Sequence, residues 1–178
     1  MPIYFLRHGK SQANLDGLFA GQKNDSSITY IGINQVKKAA NELRDIRIDR
    51  IYASRLKRAR QTESIVAEII GYDKNKIDFD DRIQEYDMGL FTNTPIRMID
   101  ANELITANGV EEPVEFRERV FSFIKEHQFS NENILMVSHD GVSRIIEATK
   151  LGLEPSQFFT LPSHPNAQVV KIDLSWLK

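Results

Sequence analysis

Three times this chain runs a short apolar stretch straight into a cluster of small polar and charged residues. Ile3-Tyr4-Phe5-Leu6 leads into Arg7-His8-Gly9, the stretch 48–53 into Ser54, and Ile134-Leu135-Met136-Val137 into Ser138-His139-Asp140-Gly141. Apolar residues at helical spacing follow each junction: Ile33, Val36, Ala40 and Leu43 after the first, Ala59, Ile65, Val66 and Ile69 after the second, Ile145 and Ile146 after the third. Short buried runs of this kind read as strands, and strands alternating with helices restrict the chain to a layered α/β sheet. In such folds the polar residues at strand ends open onto the crevice above the sheet, where chemistry is kept.

The remaining punctuation fits that reading. Thr29 reads as the cap of the first helix and Ser54 as the N-cap of the second, which Gly71 ends. The polar stretch 10–27 reads as a long loop, 77–79 as a short strand and 169–172 as the last strand. Phe116, Val120, Phe123 and Ile124 form one apolar helical face. Breakers at Thr94-Pro95 and Asn108-Gly109 mark 89–113 as a lid or insertion.

A length of 178 residues with 41% hydrophobic content suits one domain, 1–178. The absence of cysteine excludes a disulfide framework, a thiolate metal site and a cysteine nucleophile, and suits a reducing, cytoplasmic setting. No apolar stretch approaches the roughly 20 residues needed to span a bilayer. A net charge of −2 leaves no broad basic face, so neither nucleic acid nor a membrane is an expected partner, and any bound anion must be held locally. The apolar residues Leu90, Phe91, Ile96, Met98 and Ile99 can pack against the body, line the pocket or meet a partner chain, which leaves a homodimer possible.

The strand-end residues complement one another chemically. Arg7 and Arg58 supply fixed positive charge in a planar fork matched to phosphate oxygens, His8 and His139 supply imidazoles, and Glu85 supplies a carboxyl. Together they form a set suited to phosphoryl transfer. Singly, each has an ordinary reading: a strand-end Arg in an ion pair, a His in a loop, an acid among the solvated Asp80, Asp81 and Asp87. Asp87 is the alternative acid, and His127 and His164 read as surface or loop residues.

Ordered blocks tie these residues together. They are Arg7-His8-Gly9 with Ser11 and Asn14; Asp25-Ser26-Ser27-Ile28-Thr29 with Gly32 and Gln35; Ser54-x-Leu56-x-Arg58-Ala59-x-Gln61-Thr62; Glu85 with Gly89; and Ser138-His139-x-Gly141. In this order they resemble the histidine phosphatase superfamily, also called the phosphoglycerate-mutase-like family. The resemblance implies a three-layer α/β/α sandwich with a mostly parallel central sheet and a small lid. It also implies that His8 becomes phosphorylated, that Arg7, Arg58 and His139 hold the transferring group, and that Glu85 donates the proton. Asn14, Gly21 and Asp140 stand where phosphate or substrate is contacted. Neither metal nor cofactor is expected, because guanidiniums and imidazoles can stabilise the charge.

Departures fall outside this cluster. Lys10 stands where the family often has Glu or Gln, Gly89-Leu90-Phe91-Thr92-Asn93 replaces Gly-x-Trp-Glu-Gly, and Gly109-Val110-Glu111-Glu112 replaces Gly-Gly-Glu-Ser. Between Met88 and Pro113 only Arg97 is basic, against Asp100, Glu103, Glu111 and Glu112, a balance that repels a second anionic group on a substrate. The expected activity is therefore hydrolysis of a small phosphorylated substrate. Phosphoglycerate mutase-type transfer and a non-catalytic phosphate-binding module are the alternatives.

Overall fold

The computed structural model describes residues 2–177. Its centre is a five-stranded sheet in the order β3-β2-β4-β1-β5. The strands are β1 (Ile3–Arg7), β2 (Arg50–Ala53), β3 (Asp78–Phe79), β4 (Ile134–Ser138) and β5 (Val169–Ile172). β1 and β2 flank β4 in parallel, β3 extends the parallel set, and β5 closes the edge antiparallel to β1. The expected mixed α/β architecture with a mostly parallel sheet is what forms.

Alternation along each strand divides the core in two. Ile3, Phe5, Ile134 and Met136 point to one face, where they meet helices α5 (Pro113–His127) and α6 (Asp140–Lys150). Leu6, Ile51, Ala53, Leu135 and Val137 point to the other, against α2 (Tyr30–Glu42) and α3 (Lys57–Ile70). β4 is buried along its whole length, so its continuous apolar run reflects burial on both faces. Each fully buried Ile, Leu or Phe here contributes about 1.5–3 kcal/mol.

Several local expectations are corrected. The stretch 10–27 is not all loop: Ser11 accepts from the Asn14 N–H and begins a one-turn helix, α1 (Gln12–Leu15). Ser54 is not the N-cap of α3. Leu56 stands there without a side-chain cap bond, and Asp25, far away in sequence, accepts from the Lys57 N–H at 2.6 Å. The strand expected at 48–53 begins at Arg50. The segment 89–113 carries 3-10 turns at Gly89–Phe91 and Ile96–Met98 and a short helix, α4 (Ala101–Thr106). His127 is neither in a loop nor free on the surface, since it ends α5 with its ring 4.6 Å from both Tyr52 and Phe123. Among the described residues no helix is long and apolar enough to cross a membrane.

Candidate active site

The chain leaves β1 across β4 to reach β2, and leaves β4 across β1 to reach β5, so a crevice opens between the carboxyl ends of β1 and β4. The ladder continues one residue past β1, with the His8 N–H donating to the Ser138 carbonyl at 2.9 Å. That bond brings His8 beside His139, ring centroids 5.1 Å apart. A cavity of about 240 Å³ is lined among others by Arg7, His8, Asn14, Gly21, Arg58, Glu85 and Asp140, while His139 is fully buried behind His8 and is not among its lining residues. A larger open groove of about 640 Å³ runs past Lys57, Gln61 and Ile65 and holds neither histidine.

His8 is held in one tautomer. Its Nδ1 lies 2.8 Å from the Gly9 carbonyl, which can only accept, so Nδ1 carries the proton. Its Nε2 receives the Arg58 Nε–H at 3.2 Å and so presents a lone pair. Burial, then the charges of Arg58 and Arg7, push its pKa well below the ordinary imidazole value. His139 is buried and depressed in the same way, chiefly by burial; its Nε2 lies 2.8 Å from Ser54 Oγ, and its Nδ1 has no hydrogen-bond partner.

The two arginines are fixed by acceptors rather than left to swing. Arg58 donates from Nη1 to the Asn24 carbonyl at 2.9 Å and from Nη2 to the Gly21 carbonyl at 2.8 Å. Burial lowers it to about 10, which leaves it charged at neutral pH. Arg7 donates from Nη1 to Asp140, to Ser163 and to the His164 carbonyl. Its Nε is buried and has no partner. Asp140 lines the cavity, but its carboxylate also accepts from Ser163 and the His164 N–H and pairs with Arg144 at 3.1 Å, so its charge is spent on the arginines. Asn14 lines the cavity with its Oδ1 accepting from Ser11 and Asn166.

Glu85 sits between the 3-10 turn Asp81–Ile83 and that of Gly89–Phe91, on backbone belonging to no ladder. Its Oε1 accepts from the Tyr86 N–H at 2.9 Å and the Gly141 N–H at 3.0 Å. A Cβ at position 141 would stand 2.3 Å from that oxygen, so only glycine admits the carboxyl there. Burial, then Asp140, raises the Glu85 pKa. Asp87, the alternative acid, turns instead to the Gly89 N–H and to Lys23.

The remaining motif residues build the scaffold. Thr62 accepts from the Gly9 N–H and Gln61 from the Ile28 N–H. Thr29 and Gln35 bind the carbonyl and the N–H of Lys10, and Gly32 lets α2 pack directly on that backbone. Lys10 itself is not among the residues lining the cavity. Residues that sequence reasoning passed over include Arg144 and the apolar wall of Leu18, Phe19, Met88 and Phe159; of the apolar lid residues it named, Ile96 lines the cavity. Among the described residues no three His, Asp or Glu side chains are grouped as a metal-binding set.

This geometry has known counterparts. A family model described as the histidine phosphatase superfamily (branch 1) matches residues 3–175. The chain belongs to that superfamily. A provisionally named phosphoserine phosphatase 2 of Hydrogenobacter thermophilus is 29% identical over 167 residues, 85% of this chain and 80% of the relative. A probable phosphoglycerate mutase of Salmonella choleraesuis is 33% identical over 103 residues, 58% of this chain and only 46% of the relative. The solved alpha-ribazole phosphatase of Shigella flexneri superposes with a TM-score of 0.80 at 27% identity, covering 97% of this chain and 90% of that one. Membership in the histidine phosphatase superfamily, with relatives bearing these names, supports an enzyme of the phosphatase or mutase type.

Proposed function

We propose that this histidine phosphatase is a metal-independent phosphomonoesterase that works through phosphohistidine on His8. The observation that carries the reading is the tautomer: Nδ1–H bound to the Gly9 carbonyl leaves the Nε2 lone pair as nucleophile, beside the fixed guanidinium of Arg58. Nε2 attacks phosphorus as the ester P–O bond breaks, and Glu85 gives its proton to the departing alkoxide. With both backbone donors on Oε1, that proton is carried on Oε2. Water then attacks phospho-His8, its proton passes to the Glu85 carboxylate, the P–N bond breaks and phosphate leaves. Arg7, Arg58 and the Nδ1 side of His139 take the three equatorial oxygens, the two guanidiniums supplying the positive charge a metal would otherwise bring and the neutral imidazole a hydrogen bond.

The substrate this cavity suits is small, and its alcohol carries no second charge. Beyond the phosphoryl cluster the wall is largely apolar, and the cation there, Arg144, is paired with Asp140. That pairing favours hydrolysis over mutase transfer, which needs a place for a second anionic group. The test is hydrolysis of p-nitrophenyl phosphate with EDTA present, followed by acid quench to trap phosphohistidine. Turnover in the wild type and its loss by at least about a thousandfold in His8→Ala is the expected result. Full activity in His8→Ala would overturn the proposal, and isomerisation dependent on 2,3-bisphosphoglycerate would replace it with the mutase reading.

A further inference from the structure

The carboxyl assigned as proton donor stands on irregular backbone, so something other than a sheet or helix must hold it. The guanidinium of Arg119, on α5, does so with all five of its N–H groups. Nη1 donates to the carbonyls of Arg82 and Gln84, each at 2.8 Å, and Nη2 to the Glu85 carbonyl at 2.9 Å. Nε and Nη2 also grip Glu111 as a fork, at 2.6 and 2.9 Å. Glu111 returns to the same segment by accepting from the Asp87 N–H at 3.0 Å. The guanidinium lies over the Phe116 ring, 4.6 Å from its centroid, and its side chain is 19% exposed. Backbone on both sides of Glu85 is therefore tied to one planar group that cannot rotate without breaking several bonds at once.

We infer that Arg119, braced by Glu111, is the positioning residue for the proton donor, setting where the Glu85 carboxyl stands relative to the departing oxygen. The inference rests on the proposed role of Glu85. Arg119 does not itself line the cavity, so its effect must pass through the backbone it holds. Proton delivery works only within hydrogen-bond reach of the reacting oxygen, so a shift of the 82–87 segment weakens it while leaving the phosphoryl cluster on β1, α3 and β4 in place.

The distinguishing property is leaving-group dependence. A good leaving group such as p-nitrophenolate departs with little help from an acid, whereas an alkoxide needs the proton. The experiment compares kcat/KM for p-nitrophenyl phosphate, phenyl phosphate and benzyl phosphate in the wild type, Arg119→Lys and Glu111→Gln, with Glu85→Gln alongside. Lysine keeps the charge but cannot reproduce the fork. Arg119→Lys is expected to stay within about threefold of wild type on p-nitrophenyl phosphate and to fall about thirtyfold or more on benzyl phosphate, in the same direction as Glu85→Gln. Glu111→Gln, a milder change, is expected to follow the same gradient and answers the question should the lysine variant not fold. Equal losses on all three substrates in these variants, or no loss, would overturn the inference. If Glu85→Gln also shows no gradient, the proposed role of Glu85 fails with it; if Glu85→Gln keeps the gradient, only the role of Arg119 fails.

Discussion

Burial and the neighbouring arginines oppose a second proton on His8, and burial with Asp140 favours the protonated form of Glu85. Both shifts have burial as their first cause. The signs give a pH profile: activity persists on the acid side to values below the ordinary imidazole midpoint of about 6.5, and declines on the alkaline side as Glu85 loses its proton. A profile of kcat from pH 4 to 9 checks this, and an acid limb that sets in at or above about 6.5, or activity that rises with pH on the alkaline side, would contradict it. Gly141 has an equally local role. Alanine there puts a methyl group into Glu85 Oε1, which must move and give up the Gly141 N–H bond. Gly141→Ala is expected to fold and to lose about a hundredfold in kcat, measured beside its circular dichroism spectrum. These residue types could be read from the chain, but their protonation states could not, because those depend on burial and on charges brought in from other segments.

At the scale of elements, the noncatalytic motif positions are docking points. Gly32 packs α2 against the backbone of Lys10, where a Cβ would stand 2.4 Å from the Lys10 oxygen and 2.8 Å from its nitrogen. Neither atom can turn aside as a side chain would. Gly32→Ala should cost about 3 kcal/mol, read as a lower urea midpoint with an unchanged slope; a midpoint within error of wild type would show that the helix can slide at little cost. Strand and helix existence was legible in the alternation of apolar residues, whereas helix starts were not. Ser54 has the residue type of a cap, yet its hydroxyl serves His139, while Asp25 satisfies the first turn of α3 from another loop. Arg119 did leave a trace in the sequence. It falls on the same helical face as Phe116, Val120 and Phe123, and a cation in an apolar stripe signals a partner, though not which one.

Across the whole molecule, buried ionisable groups couple folding to pH in opposite senses. His8 and His139 have lowered values, so they contribute stability that is present above about 6.5 and is lost as the pH falls towards their folded values. Glu63, buried on α3, is raised to about 7 by burial, and its Oε2 has no partner. Its contribution is present below the ordinary carboxyl value and lost as the pH rises towards 7. Glu63→Gln should therefore exceed wild type in stability by about 2 kcal/mol at pH 8, with the gap shrinking towards pH 5. Urea unfolding at the two values checks this, and a difference independent of pH would show that Glu63 does not titrate between them. The sequence by itself determined the layered α/β class and the two strand-end histidines, because apolar periodicity and strand-to-helix junctions are local properties. It also carried the ordered blocks of the superfamily. Which tautomer His8 adopts, where Arg119 sends its five N–H groups and which walls face the substrate were decided only by tertiary structure. Apart from the local Gly9 bond to the His8 Nδ1, each depends on contacts between segments far apart in the chain, and burial sets both their strength and their protonation.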